Sequence, residues 1–208
     1  MGLPAYTDVN DIPGPVDLAI VVVPPQTVPE VLRGCARKRI PGVMINTAGF
    51  LETGTEEGCA LEEEVLRIAH GANIRIVGPN CLGIYNPEVG LGYLDVPASC
   101  GRVAVISQSG SMTTRIIEFG IERGVGFSKA VSSGNESDLT VVDYIEYLGQ
   151  DPKTGIIAAY LESIRDGRRF MEVASKVAAT KPIVIWKAGR TEAGAHAAAS
   201  HTGALTGS

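Results

Sequence analysis

Aromatic side chains are scarce in this 208-residue chain: they make up 5%, with a single tryptophan. Glycine, by contrast, stands at 25 residues, and the combination suits an α/β architecture with many tight strand-to-helix turns. Positive charge is also short. The 18 Lys and Arg face 23 Asp and Glu, a formal net charge of −5, which argues against a nucleic-acid or anionic-membrane partner. The basic residues are dispersed, and Arg37-Lys38-Arg39 reads as the end of a helix. No run is long enough to span a bilayer, since Leu18–Val23 stops at Pro24-Pro25. No export signal is expected either, because Pro4, Asp8 and Asp11 stand where an apolar core would be needed. Paired-cysteine motifs are missing too. Cys35, Cys59, Cys81 and Cys100 lie too far apart for metal-ligand pairs, so no metal site is expected. They read as reduced thiols of a cytoplasmic protein. Without any G-x-G-x-x-G, the fingerprint of a nicotinamide-dependent dehydrogenase is absent.

What is present is a rhythm. Hydrophobic residues at 45% and charged residues at 20% allow one large domain or two small ones with real cores. Leu18–Val23 is a continuous β-branched run, the pattern of a strand buried on both faces. Thr27 then opens a helix, with Glu30 at capping-box spacing and a stripe of Val28, Val31, Leu32 and Cys35. A strand at Val43–Ile45, a helix from about Glu56 to Ala69 and a strand at Ile74–Val77 follow. Such alternation means parallel pairing with right-handed crossovers. Residues 83 to 100 hold no good helix or strand of their own and read as a linker. The rhythm restarts with strands at Val103–Ile106, Phe127–Val131, Ile156–Leu161 and Ile183–Trp186, with helices between them. Two α/β domains with parallel sheets are therefore expected, 1–97 and 98–208. Both ends look cut, because the first strand appears only at Leu18 and nothing covers the last loop.

Ligands of open α/β sheets bind at the carboxyl ends of the strands, and the polar and glycine-bearing clusters fall there. They are Pro24-Pro25-Gln26, Asn46-Thr47-Ala48-Gly49, Gly78-Pro79-Asn80-Cys81, Ser107–Ser111, Ser132–Asn135 and Glu162. Any one of them could be no more than a turn. Ser109-Gly110-Ser111 at a helix start offers free N–H groups and hydroxyls to an anion. Glu162 closes an apolar strand, which is either a solvated strand end or a carboxylate facing a cleft. His201, in Ala199-Ser200-His201-Thr202-Gly203-Ala204, comes one strand-helix-strand unit later, at the same edge of the sheet. It is either a polar residue in a small-residue turn or a nucleophile on a mobile loop. A carboxylate bonded to one imidazole nitrogen would leave the other free to attack a phosphate.

Arg75–Gly83 (RIVGPNCLG), Gly101–Ser111 (GRVAVISQSGS), Lys187-Ala188-Gly189-Arg190 and Ser200–Leu205 (SHTGAL) together resemble the NDP-forming acyl-CoA synthetases, relatives of the succinyl-CoA synthetase α subunit. The resemblance runs in order over essentially the whole chain. It implies a Rossmann-like CoA-binding domain, incomplete at its N-terminus, and a flavodoxin-like ligase domain, incomplete at its C-terminus. His201 would be the phosphohistidine and Glu162 its orienting carboxylate. Ser109, Gly110 and Ser111 would form part of the phosphate site. Pro24, Pro25, Asn46, Thr47, Ala48 and Gly49 would line the CoA cleft, with Asn80 and Cys81 near the thiol end. Cys81 alone reads as a buried turn cysteine. The implied reaction interconverts acyl-CoA, phosphate and ADP with a carboxylic acid, CoA and ATP. ADP or ATP with Mg would be bound by an ATP-grasp domain or β subunit outside this chain, in an oligomer. The alternative is a non-catalytic CoA-binding regulatory module, as in acetyltransferase fusions.

Overall fold

The computed structural model describes residues 2–92 and 99–189. Its first sheet takes β1 (Leu18–Val21), β2 (Gly42–Ile45) and β3 (Arg75–Val77) in the order β1-β2-β3, all parallel. The crossovers carry α1 (Val28–Lys38) and α2 (Glu56–Gly71). Strand periodicity then divides the side chains. Val43, Ile45 and Ile76 pack under the two helices with Leu32, Val65 and Ala69. Met44 and Val77 point into a different core, shared with Ile106, Val142 and Leu161. That second core binds the two units to each other.

The second sheet has the order β4-β6-β5-β7-β8. It comprises β4 (Gly83–Tyr85), β5 (Cys100–Ser107), β6 (Phe127–Ser132), β7 (Ile156–Leu161) and β8 (Ile183–Lys187). All neighbours are parallel except β4, which runs antiparallel to β6. Between them stand α3 (Gly110–Glu122), α4 (Val141–Gln150) and α5 (Gly167–Ala178). The central strand β5 is covered on both faces. Ala104 and Ile106 of β5 face a core with Ile145, Leu148 and Phe170, whereas Val105 packs with Ile117 of α3. An apolar run without alternation is the mark of such a strand.

Three expectations need correction. β1 is not buried on both faces: Ile20 is 40% exposed and Val22, just beyond the strand, 70%, because β1 is the edge of its sheet and only Ala19 and Val21 turn to the helices. Thr27 makes no side-chain cap; its φ of −87° and ψ of −20° are already helical, since Pro25–Thr27 forms a 3-10 turn running into α1. Residues 83 to 100 are not strandless, for β4 adds an edge to the second sheet and β5 begins at Cys100. Gly83 permits this: its φ is +86°, and a Cβ there would collide with the Met44 sulfur.

Candidate functional site at the seam between the sheets

The loops that leave the carboxyl ends of β2, β3, β5 and β6 meet around a cleft of ≈ 390 Å³. Asn46, Asn80 and Cys81 line it from the first unit, and Gln108, Gly110 and Ser111 from the second. Thr114, Gly134 and Asn135 complete the second unit's wall. Residues expected in a CoA site and residues expected in a phosphate site thus share one cavity.

On the second-unit side, Ser109 is the N-cap of α3, with extended backbone and its Oγ 3.4 Å from the Met112 amide. Its conformation is fixed from below, where Ser107 Oγ donates to Ser109 O at 2.8 Å and Thr113 Oγ1 donates to the same oxygen at 2.9 Å. The Ser111 hydroxyl lies 3.1 Å from Ser109 Oγ. Amides in the first turn of a helix have no carbonyl within the helix, so Gly110 and Ser111 present donors and the positive end of the dipole to the cleft.

On the first-unit side, Asn80 has a φ of 54°; its N–H donates to Thr47 O at 2.9 Å and its Nδ2 to Asn135 Oδ1 at 3.3 Å. Asn135 Nδ2 donates in turn to Glu52 at 2.5 Å and to Glu62 at 3.1 Å. Cys81 is 7% exposed, its Sγ donates to Ile45 O at 3.3 Å, and burial pushes its thiol up to about 12. It is a thiol at any ordinary pH.

Pro24, Pro25, Thr47, Ala48 and Gly49 do not line the cleft. Their two loops lie against each other: Thr47 Oγ1 donates to Val23 O at 2.7 Å, and a Cβ on Gly49 would stand 2.8 Å from the Pro25 ring. Glu162 follows β7 and is 4% exposed, so it is no solvated strand end. His201 and its neighbours lie outside the described residues. Gln108, Gly134 and Asn135 were not singled out in sequence beyond their turn clusters; Gln and Asn give no sign there of which way they face.

Among the described residues, no group of three His, Cys, Asp or Glu is placed to hold a metal ion, and no helix is long and apolar enough to cross a membrane. Residues 100–208 match the family model described as a succinyl-CoA ligase like flavodoxin domain, and residues 1–87 match a CoA binding domain. The chain is 50% identical, over all of its length and 45% of the relative's, to the α subunit of acetate–CoA ligase [ADP-forming] II of Pyrococcus furiosus. It is 40% identical to 4-hydroxybutyrate–CoA ligase [ADP-forming] of Nitrosopumilus maritimus, over 98% of this chain and 30% of that protein. Among solved structures, the acetyl-coenzyme A synthetase 1 of Ca. Korarchaeum cryptofilum in complex with phosphate and ADP superposes with a TM-score of 0.92 at 42% identity, over 100% of this chain and 45% of that one. The chain spans less than half the length of these relatives.

Proposed function

Because the chain belongs to the ADP-forming acyl-CoA synthetases, the family of the succinyl-CoA-ligase-like flavodoxin domain, we propose that it is the CoA-binding and phosphohistidine-bearing part of such an enzyme. Residues 1–97 would be the CoA-binding domain and 98–208 the ligase domain. A partner ATP-grasp domain or β subunit supplies ADP with Mg in an oligomeric, cytoplasmic assembly. The observation that carries this reading is the shared cleft, with Asn80 and Cys81 facing Gly110 and Ser111.

The chemistry runs in three transfers. A phosphate oxygen attacks the thioester carbonyl, the C–S bond breaks, and CoA leaves as its thiol after taking a proton. The donors at the start of α3 offset the phosphate's charge while it is held for attack. An imidazole nitrogen of His201 then attacks phosphorus of the acyl phosphate and releases the carboxylate. Glu162, accepting from the other ring nitrogen, fixes the tautomer and favours the charged ring. Phosphohistidine finally passes its phosphoryl group to ADP. The pushed-up Cys81 thiol takes no part as a nucleophile.

The complete enzyme containing this chain, mixed with ATP labelled on its γ-phosphate, should acquire an acid-labile, base-stable label, and His201→Ala should abolish it. Label that persists in His201→Ala overturns the relay. An unlabelled wild type that still binds CoA points instead to the regulatory module. The acid itself is identified by a panel of CoA thioesters, from acetyl to aryl and dicarboxylic.

A further inference from the structure

The β-ladder of β7 runs out at Leu161, whose carbonyl accepts from the Ala188 amide at 2.8 Å. The next two residues, buried Glu162 and half-buried Ser163, have left the strand, so their peptide groups need partners from elsewhere. Two long side chains supply them, one from each strand flanking β7. Gln108, at the end of β5, uses its Oε1 to accept from Glu162 N–H at 2.6 Å and from Ser163 N–H at 2.9 Å. Its Nε2 donates to Ser163 O at 3.0 Å. Lys187, the last residue of β8, donates from Nζ to Glu162 O at 2.8 Å. Every backbone donor and acceptor of the pair is thereby held by a side chain.

We propose that Gln108 and Lys187 form a clamp that positions Glu162 for the imidazole of His201. They are positioning residues, acting through Glu162, and the inference rests on the role given above to that carboxylate. Fixing both peptide groups around one Cα fixes the direction of its Cβ, so only side-chain torsions remain to aim the carboxylate. The clamp also joins the three elements that the reaction must align. Gln108 immediately precedes the N-cap of α3 and lines the cleft, so the same residue that grips Glu162 borders the phosphate-binding turn. The Lys187 ammonium also donates to Ala188 O at 2.6 Å, tying Glu162 to the stem from which the chain continues towards His201. Glu136, a buried carboxyl whose proton affinity the Gln108 side chain lowers, lies close to the clamp.

A merely structural side chain would cost stability when removed and leave the chemistry of folded molecules alone. The test separates the two in the complete enzyme, by the rate of histidine phosphorylation from γ-labelled ATP and by steady-state kinetics with acetyl-CoA. Gln108→Leu and Lys187→Met should each slow phosphorylation by about 10- to 100-fold, the penalty of a group misplaced by about an ångström, with little change in KM for acetyl-CoA. Gln108→Glu, which keeps an acceptor oxygen for both amides and loses the donor, should lie between wild type and Gln108→Leu. In a double-mutant cycle, Gln108→Leu combined with Glu162→Gln should be no slower than Glu162→Gln alone, because the clamp has nothing left to aim. Multiplicative effects would overturn the clamp. So would a slow Glu162→Gln beside Gln108→Leu and Lys187→Met at full rate. A neutral Glu162→Gln overturns the role of Glu162 itself, and the clamp with it. Lys187→Met removes a donor from two carbonyls but leaves both amides with their acceptor, so it keeps the test decisive should Gln108→Leu fail to fold.

Discussion

Among single residues, Glu136 carries an electrostatic signature with a testable consequence. It is 3% exposed with a φ of 54°, and burial raises its carboxyl above the usual range, although Ser133 Oγ at 2.7 Å, the Val141 amide, Gln108 and Arg165 pull the other way. A raised acid is a stability penalty at neutral pH. Below about pH 4 the carboxyl is protonated in native and unfolded chains alike and costs nothing. As pH climbs from there to the raised native value, only the unfolded chain sheds its proton, so stability falls through that window. Glu136→Gln should therefore melt at a higher temperature than wild type at about pH 7, and the gap should close near pH 4. A gap that is constant with pH would mean that burial does not raise the Glu136 carboxyl in the native state. Sequence gave no hint of this, because Glu136 sits in a Ser-Gly-Asn-Glu-Ser run that reads as solvated turn. Burial of a turn residue depends on which loop packs over it, and that is a tertiary fact. The same limit applied to Glu162, whose reading as a solvated strand end fell only when its burial was known.

At the scale of elements, the strands and helices with long apolar stretches were legible and the short pieces were not. β7 spans Ile156–Leu161 as periodicity indicates, and α2 extends the expected helix only to Gly71. β4 was missed because a strand of three residues has no period to read, and its pairing partners are about 47 residues away in β6. Thr27 was misread because capping-box spacing says nothing of the backbone before it, whereas Thr55 does cap α2, accepting from the Gly58 amide at 3.1 Å. The β6–α4 loop has a requirement that can be tested. Gly134 has a φ of +59°, and a Cβ on it would press into the Pro79 and Asn80 carbonyl oxygens of the first unit. Gly134→Ala should cost at least about 1–3 kcal/mol in urea unfolding, from strain alone, before any shift of the facing loop. A cost below the measurement error would show that the two loops are free to part.

For the whole molecule, the question is what makes two sheets one folding unit. Apolar contact supplies most of it through Met44, Val77 and Cys81, which share a core with β5, β6 and α4. Asp138 adds a polar rivet. Its Oδ2 accepts from the Ile76 amide at 2.8 Å and from Arg75 Nε at 2.9 Å, and Oδ1 from Arg75 Nη2 at 3.2 Å. Arg75 is 59% exposed in its side chain, so the ion pair is worth little; the strand amide decides the outcome. Asp138→Ala should cost about 1–3 kcal/mol by stranding that amide, and Asp138→Asn, which keeps an acceptor, distinctly less. Calorimetry should show one transition for wild type. Equal losses for the two variants would mean that charge, not the amide, is what matters.

The walls of the cleft belong to different sheets, Asn46 and Asn80 to one and Ser111 to the other. A molecule touching both is therefore gripped like a dowel across a joint, and whatever free energy holds it also resists the joint's parting. Heat tolerance of the entire chain then becomes a gauge of occupancy: at a hundredfold excess over its dissociation constant, a bridging ligand adds about 2.7 kcal/mol. Seam and ligand site being one place, the chain cannot loosen the first without emptying the second.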